Sequence, residues 1–134
     1  MIDSEVEIAD IIIDCSDPVR LASFWAHVLG RTVEGNKGPY VWLSRVSGAV
    51  GVGFQKVAEP KVGKNRVHLD ISVRDVVAAK TQIEALGGRR VAGYERGGFL
   101  VMADPEGNEF CLVPATPFRF DDSGRADYLD PLAI

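Results

Sequence analysis

The stretch RVHLDISVRDV, residues 66–76, repeats the pattern of IADIIIDCSDP, residues 8–18, at an offset of 58 positions. The same offset continues without a gap through the segment that follows each stretch, and it aligns residues that punctuate structure. The matched pairs are Ile13 with Ile71, Asp17 with Asp75, Gly30 with Gly88, Arg31 with Arg89, and Val33 with Val91. Internal similarity at a fixed offset is typical of a duplicated structural unit, so we predict two copies of one module.

Each copy begins with a strand and a helix. EIADIIIDC and RVHLDISV are rich in Ile and Val with partial two-residue alternation, which predicts strands. Ser16 or Asp17 can cap the first helix with Pro18 in its first turn, and Asp75 can cap the second. Apolar residues then recur three and four positions apart, which predicts one buried face on each helix. These residues are Leu21, Phe24, Trp25, Val28 and Leu29, then Val76, Ala79, Ile83 and Leu86. Gly30 and the pair Gly87 and Gly88 are suited to the helix ends.

Three short strands complete each copy. We predict RTVEG, PYVWLSRV and AVGVGFQKV in the first copy, and RRVAGY, GFLVMAD and NEFCLVP in the second. The breaks GNKG, SG, ERGG and DPEGN have hairpin-turn composition. The linker AEPKVGK joins the copies, and the segment after Pro114 shows no clear period, so we expect an irregular extension.

The resulting fold class is α+β, with two tandem βαβββ modules in one domain that spans residues 1–134. Module 1 covers about residues 5–58, module 2 about 63–114, and the C-terminal extension 115–134. We expect the modules to form a curved mixed sheet with the helices on its outer face. The open inner face would be concave, and Gly51 and Gly53 would leave volume over it for a small molecule.

Composition excludes several function classes. Apolar residues at 46% and charged residues at 25% are ordinary for a globular domain. The net charge of −4 argues against nucleic-acid or anionic-membrane partners, which require a basic field. We predict neither a signal peptide nor a membrane span. Cys15 and Cys111 form no metal-finger spacing, so a reduced, cytoplasmic location is the simplest expectation.

The repeated βαβββ module resembles the vicinal oxygen chelate superfamily, also called the glyoxalase/bleomycin-resistance/dioxygenase fold, and its glyoxalase-like branch in particular. The phrases that carry the resemblance are DCSDPVRLASFWAHVLGR, NRVHLDISVRDV and MADPEGNEFCLV. They cover roughly residues 6–114, and the Asp-Pro-x-Gly-Asn turn adds specificity. The resemblance implies a small-molecule ligand and a homodimer.

The resemblance also implies where a metal would bind. Metal-dependent members place four ligands on the open face, usually His or Glu with occasional Gln, from the first and last strand of each module. The corresponding residues here are Asp10, Gln55, His68 and Cys111. A thiolate beside hard oxygen ligands suits Zn²⁺ better than Mg²⁺, Mn²⁺ or Fe²⁺, so we expect a metal-free pocket. If a divalent Zn, Mn, Fe or Ni ion is bound, Glu109 would replace Cys111 in the ligand set.

Strand alternation selects the remaining candidates. His68 and Asp70 share the open face, whereas Val67, Leu69, Ile71 and Val73 face the helix. His68 is the best catalytic candidate, as a group that contacts ligand or transfers a proton, and its alternative role is that of a polar residue between modules. The predicted pocket residues are Asp10, Trp42, Gln55, His68, Asp70, Glu109 and Cys111.

Three of these pocket residues have competing interpretations. Trp42 is either an aromatic wall of the pocket or a residue that packs between modules or at a dimer contact. Cys111 is either a small buried filler or a nucleophile with His68 as its base. Glu109 is either a solvated rim residue or a general base.

Two functions follow as hypotheses. The first is a metal-free small-molecule-binding protein of the glyoxalase/bleomycin-resistance type. The second is a metal-dependent lyase, isomerase or dioxygenase of the vicinal oxygen chelate type. The number and geometry of converging metal donors distinguish them.

Overall fold

The computed structural model describes residues 5–94 and 98–128, and the chain divides into two compact units, Met1–Lys61 and Val62–Ile134. The division falls inside the linker AEPKVGK. In the described residues each unit contains one helix and a four-stranded mixed sheet, in the chain order βαβββ. The predicted α+β class and its duplicated βαβββ module are therefore confirmed.

The first unit consists of β1 (Asp10–Cys15), α1 (Pro18–Leu29), β2 (Val33–Lys37), β3 (Tyr40–Leu43) and β4 (Gly51–Lys56). The strand order is β1-β4-β3-β2, with β1 parallel to β4 and the other pairs antiparallel. α1 packs against β3 and β4 and buries Leu21, Phe24 and Trp25 of the apolar face predicted from its spacing, whereas Val28 and Leu29 are half-buried. The core residues are Leu21, Phe24, Trp25, Val41, Leu43, Val52 and Phe54.

Local signals determine where α1 begins and ends. Asp17 is the N-cap, and its Oδ1 accepts a hydrogen bond from the Arg20 N–H at 3.1 Å. Pro18 occupies the first turn, where no N–H is needed. Gly30 ends the helix at φ +65°, a left-handed conformation that favours glycine. An N-cap such as Asp17 stabilises a helix by about 0.5–2 kcal/mol.

The second unit repeats this plan with β5 (Leu69–Val73), α2 (Val76–Ala85), β6 (Arg89–Tyr94), β7 (Phe99–Ala103) and β8 (Glu109–Pro114). The strand order is β5-β8-β7-β6, and β5 runs parallel to β8. α2 begins at its predicted cap, since Asp75 Oδ1 accepts from the Ala78 N–H at 2.9 Å. α2 packs against β6 and β8 over a core of Ile83, Met102, Phe110 and Leu112.

The turn before β8 is the DPEGN motif, and it is built around a buried carboxylate. Asp104 is only 2% exposed. Its Oδ1 accepts from the N–H groups of Glu106 and Asn108 at 2.9 and 3.0 Å. The Asn108 side-chain amide donates to Oδ2 at 2.9 Å. Gly107 then turns the chain at φ +86°. This bonding sets where β8 begins and therefore which of its residues face the open side of the sheet.

The C-terminal extension is more regular than we expected from sequence. β9 (Phe118–Phe120) and β10 (Ala126–Tyr128) form an antiparallel hairpin, so the prediction of an irregular extension is wrong over these residues. Asp121 organises the turn, because its Oδ1 accepts from the N–H groups of Ser123 and Arg125 at 2.9 and 3.0 Å. Gly124 completes the turn at φ +82°. The segment DDSG was the available turn signal.

Two smaller predictions also need correction. The GNKG break lies partly inside β2, since Gly35 pairs with Trp42 and Lys37 with Tyr40. The turn comes at Gly38, where φ is +65°. Val67 is 78% exposed and does not face the helix, because β5 begins two residues later. The ERGG break falls at 95–98, of which residues 95–97 lie outside the described part of the chain.

No helix in the described ranges is long and apolar enough to cross a membrane.

Candidate functional site

Three side chains that could bind a metal ion or donate a proton meet on the open face of the second sheet. Asp70 on β5 is the register partner of Cys111 on β8, so their side chains lie next to each other on adjacent strands. His68 precedes Asp70 by two residues and shares its face. Its Nε2 lies 3.4 Å from Asp70 Oδ1. Ligand atoms of all three residues lie within 4.8 Å of one another.

A cavity of about 160 Å³ adjoins this group. One side is the open face of the sheet, and the other is the β9–β10 hairpin. Tyr128 on β10 contacts the Phe99 ring edge to face, with centroids 6.4 Å apart, and it contacts Phe118 at 5.3 Å. The hairpin therefore covers the sheet here, and Cys111 is only 7% exposed. The lining residues are His68, Asp70, Phe99, Cys111, Val113, Arg125, Ala126 and Tyr128.

The electrostatics of the cavity keep its thiol neutral. Burial, followed by the negative charge of Asp70 and a hydrogen bond with it, raises the pKa of Cys111 to about 11. Burial and then the Asp70 charge also raise the pKa of the Tyr128 hydroxyl above its ordinary value. A reactive cysteine needs a thiolate at working pH. Without a bound cation, Cys111 is therefore a poor nucleophile, which weakens its interpretation as the partner of a His68 base.

Glu109 does not join this group. Its Oε2 accepts a hydrogen bond from the Asn65 N–H at 2.9 Å, and it lies half-buried at the start of β8. Across the residues that the structure describes, the donor cluster consists of His68, Asp70 and Cys111. The structure thus brings Cys111, rather than Glu109, to His68.

The first unit holds the other predicted ligands, and its register separates them. Asp10 pairs with Gly51, whereas Gln55 pairs with Asp14. Asp10 and Gln55 share a face but lie four residues apart along the strands, about 13 Å at the usual rise. Asp10 Oδ1 instead accepts a hydrogen bond from Arg45 Nη2 at 2.7 Å. A pairing of Asp10 with Gln55 on one ion is thus not supported by the geometry of this unit.

Trp42 fills the space that we expected Gly53 to leave open. A Cβ at Gly53 would lie 2.7 Å from Trp42 Cε3 and 3.1 Å from Ile12 Cδ1. At Gly51 a Cβ would collide with the Asp10 carboxylate. The two glycines therefore admit neighbouring side chains, and the expectation of free volume above them is wrong. Trp42 stacks on Tyr40, with planes 18° apart and centroids 6.5 Å apart.

The sequence matches the family described as glyoxalase-like domain over residues 10–113. The chain belongs to this family, which places it in the vicinal oxygen chelate superfamily. A comparison with curated proteins finds no match.

Solved structures show the same fold at low sequence identity. The chain is similar to a glyoxalase/bleomycin resistance protein/dioxygenase family enzyme from Burkholderia phytofirmans PsJN, with TM-score 0.69, 19% identity, and coverage of 81% of this chain and 98% of that one. A glyoxalase-related enzyme from Fulvimarina pelagi has TM-score 0.66 and 15% identity, with coverage of 92% of this chain and 99% of that one. The trypanothione-dependent glyoxalase I of Leishmania major has TM-score 0.65 and 18% identity, with coverage of 82% of this chain and 87% of that one.

Sequence reasoning missed one wall of the cavity. Phe99, Arg125 and Tyr128 line it, but none of them was a candidate. Arg125 and Tyr128 follow the DDSG turn, so recognising that turn would have predicted a hairpin able to fold back over a sheet. The strand to which it returns is not visible in local sequence.

Proposed function

We propose that the protein binds a small organic molecule in the cavity between the open face of the second sheet and the β9–β10 hairpin. The observation that carries this proposal is the convergence of polar groups and aromatic rings on one cavity, which the hairpin covers at Cys111 and which is open to solvent at His68 and Asp70. Binding sites typically combine an apolar lining with a few placed polar groups. Here His68 and Asp70 supply polar atoms, while Phe99 and Tyr128 supply apolar surface.

The cavity volume limits the ligand. Drug-sized ligands occupy pockets of roughly 300–1,000 Å³, whereas an apolar cavity of about 150 Å³ holds benzene. The cavity of about 160 Å³ therefore suits a molecule of about one ring. Its rim carries an anionic residue, Asp70, and a cationic one, Arg125. We accordingly favour a monocyclic ligand with at least one hydrogen-bonding substituent.

A thermal-shift screen with monocyclic aromatic amines and acids tests the proposal, using metal-free protein in EDTA. We expect at least one compound to raise Tm in a saturable manner. Phe99→Ala and His68→Ala should abolish that rise. Phe120→Ala is the matched control, because Phe120 lies on the same hairpin, is 72% exposed and does not line the cavity. Saturable binding that all three variants retain would place the ligand elsewhere and refute the proposal.

A metal-dependent lyase, isomerase or dioxygenase is the second candidate function. The cluster of His68, Asp70 and Cys111 favours it, because three donors of this kind can hold a divalent ion and leave a position open. Such an ion would act as a Lewis acid beside the cavity. The test is the metal content of untagged protein purified without chelator. Near-stoichiometric metal that is lost in His68→Ala supports this candidate, and protein that neither carries nor takes up metal refutes it.

The family resemblance further supports the proposal of a homodimer. The cysteine pattern supports a cytoplasmic location, and the net charge of −4 supports the proposal that nucleic acid and anionic membranes are not partners. Light scattering coupled to size-exclusion chromatography measures the mass of the particle directly. A monomer across the accessible concentration range would contradict the homodimer.

A further inference from the structure

The second unit brings together an imidazole, a carboxylate and a thiol, and the kind of metal ion that these groups suit deepens the second candidate function and rests on it. We propose that His68, Asp70 and Cys111 together bind a thiophilic divalent ion of the Zn²⁺ type, without a ligand from the first unit. Asp70 is the new element in this assignment, since the family resemblance pointed to Asp10, Gln55 and Glu109 as the oxygen or amide donors.

The distances support a common ion. Bond lengths of about 2.0–2.3 Å in a tetrahedral site place neighbouring ligand atoms roughly 3.3–3.8 Å apart. His68 Nε2 and Asp70 Oδ1 already lie 3.4 Å apart, inside that range. All three ligand atoms lie within 4.8 Å of one another, so side-chain rotations that move them by about 1 Å would bring every pair into that range. The backbone is already in place, because Asp70 and Cys111 are direct partners across the β5–β8 pair.

The chemistry of the donors selects the ion. Thiolate ligands favour Zn²⁺ and other soft or borderline ions, whereas Mg²⁺ and Mn²⁺ prefer oxygen. Imidazole and carboxylate are ordinary partners of Zn²⁺ beside a thiolate. Asp70 and a thiolate would together carry two negative charges, which a divalent cation balances. A His68–Asp70 ion pair beside a buried filler cysteine is the competing explanation, and it needs no metal.

The position of the cluster adds a functional consequence. The three residues belong to the lining of the cavity that we propose for the ligand. Three protein donors leave one tetrahedral position, as in catalytic rather than structural zinc sites. A ligand in the cavity would therefore lie beside the ion.

Cobalt spectroscopy tests the donor set without any assay of activity. Untagged protein stripped with EDTA is titrated with Co²⁺, and the near-ultraviolet thiolate-to-cobalt charge-transfer band is recorded. We expect a band that saturates at one equivalent, disappears on addition of Zn²⁺ and persists on addition of Mg²⁺ or Mn²⁺. A titration without the band, or equal competition by Mg²⁺, overturns the proposal.

Variants assign the band to its ligands. Cys111→Ser should remove it, and His68→Ala and Asp70→Asn should each weaken cobalt binding by at least about tenfold, the lower end of what an outer-shell partner contributes. Cys15→Ser is the matched control, because Cys15 is equally buried but lies in the first unit, where its Sγ–H donates to the Gln55 carbonyl. His27→Ala serves the same purpose for histidine. A band that survives in Cys111→Ser, or is lost in Cys15→Ser, refutes the assignment.

The two proposals fail separately. If EDTA-treated protein binds a monocyclic ligand but never develops the cobalt band, the metal inference is wrong and the binding function stands. If the band forms while no ligand binds, with or without Zn²⁺, the cavity function is wrong and the metal site stands.

Discussion

Replacing Gly53 with alanine should destabilise the first unit mainly through a collision with Trp42. The added Cβ would lie 2.7 Å from Cε3 and 2.8 Å from Cζ3 of the indole, whereas carbon atoms pack at about 3.5–4.0 Å. The indole must therefore move by about 1 Å or swing outward. Forced repacking of this size typically costs 1–3 kcal/mol.

Two effects reduce that cost. Alanine in a strand is favoured over glycine by roughly 0.5–1 kcal/mol, because an unfolded chain with alanine at this position has less conformational freedom to lose on folding. Trp42 is only half-buried, so it can relax partly toward solvent. We therefore expect Gly53→Ala to lower the free energy of unfolding by about 1–2 kcal/mol, measured by urea denaturation followed by circular dichroism, with an unchanged m-value.

A control and a double-mutant cycle make the reasoning refutable. Gly35→Ala places a Cβ 3.4 Å from Trp42 Cδ1, an ordinary contact, so it should leave stability unchanged or raise it by up to about 1 kcal/mol. In a Trp42→Ala background the collision is gone, so Gly53→Ala should become neutral or slightly stabilising. If Gly53→Ala costs the same with and without the indole, the collision does not explain the glycine.

Three further predictions concern the buried turn, the thiol and the surface ion pair. Asp104→Ala leaves two backbone N–H groups without their acceptor and should lower the free energy of unfolding by at least about 2 kcal/mol, measured by urea denaturation. Asp121→Ala in the exposed hairpin turn is its control and should lower that free energy by less than about 1 kcal/mol. In EDTA-treated protein, the folded-state pKa of Cys111 is about 11, above its ordinary 9.0, so the unfolded chain loses the proton first and the free energy of unfolding falls between those two pH values. Cys111→Ser should flatten that fall, and a variant whose free energy of unfolding depends on pH in the same way would contradict the shift. Arg45→Met removes the partner of Asp10 at an exposed site, and its effect should stay under about 1 kcal/mol and vanish at about 1 M salt; an undiminished effect there would show a buried pair.

Much of the fold follows from local sequence. The caps Asp17 and Asp75 act on N–H groups three residues away, and Gly30 ends its helix through its own φ, so these signals are complete within one turn. The DPEGN turn is equally local. The duplication then implied that the second module repeats the first, and both βαβββ units are present.

The site was only partly predictable. Alternation correctly put Asp70 on the open face of β5, because a strand exposes every second residue to the same side. Alternation does not state which residue on another strand lies opposite. Asp10 and Gln55 are both on the open face of their unit, yet their partners are Gly51 and Asp14.

The sequence by itself therefore determined the two βαβββ modules, the helix caps and the face of most strand residues, since these depend on neighbours within a few residues. Tertiary structure decided the register that places Asp70 beside Cys111, the filling of Gly53 by Trp42, and the return of Tyr128 over the second sheet. Register and coverage depend on hydrogen bonding and burial between segments far apart in the chain. Their free energies belong to the folded unit as a whole, and no local pattern records them.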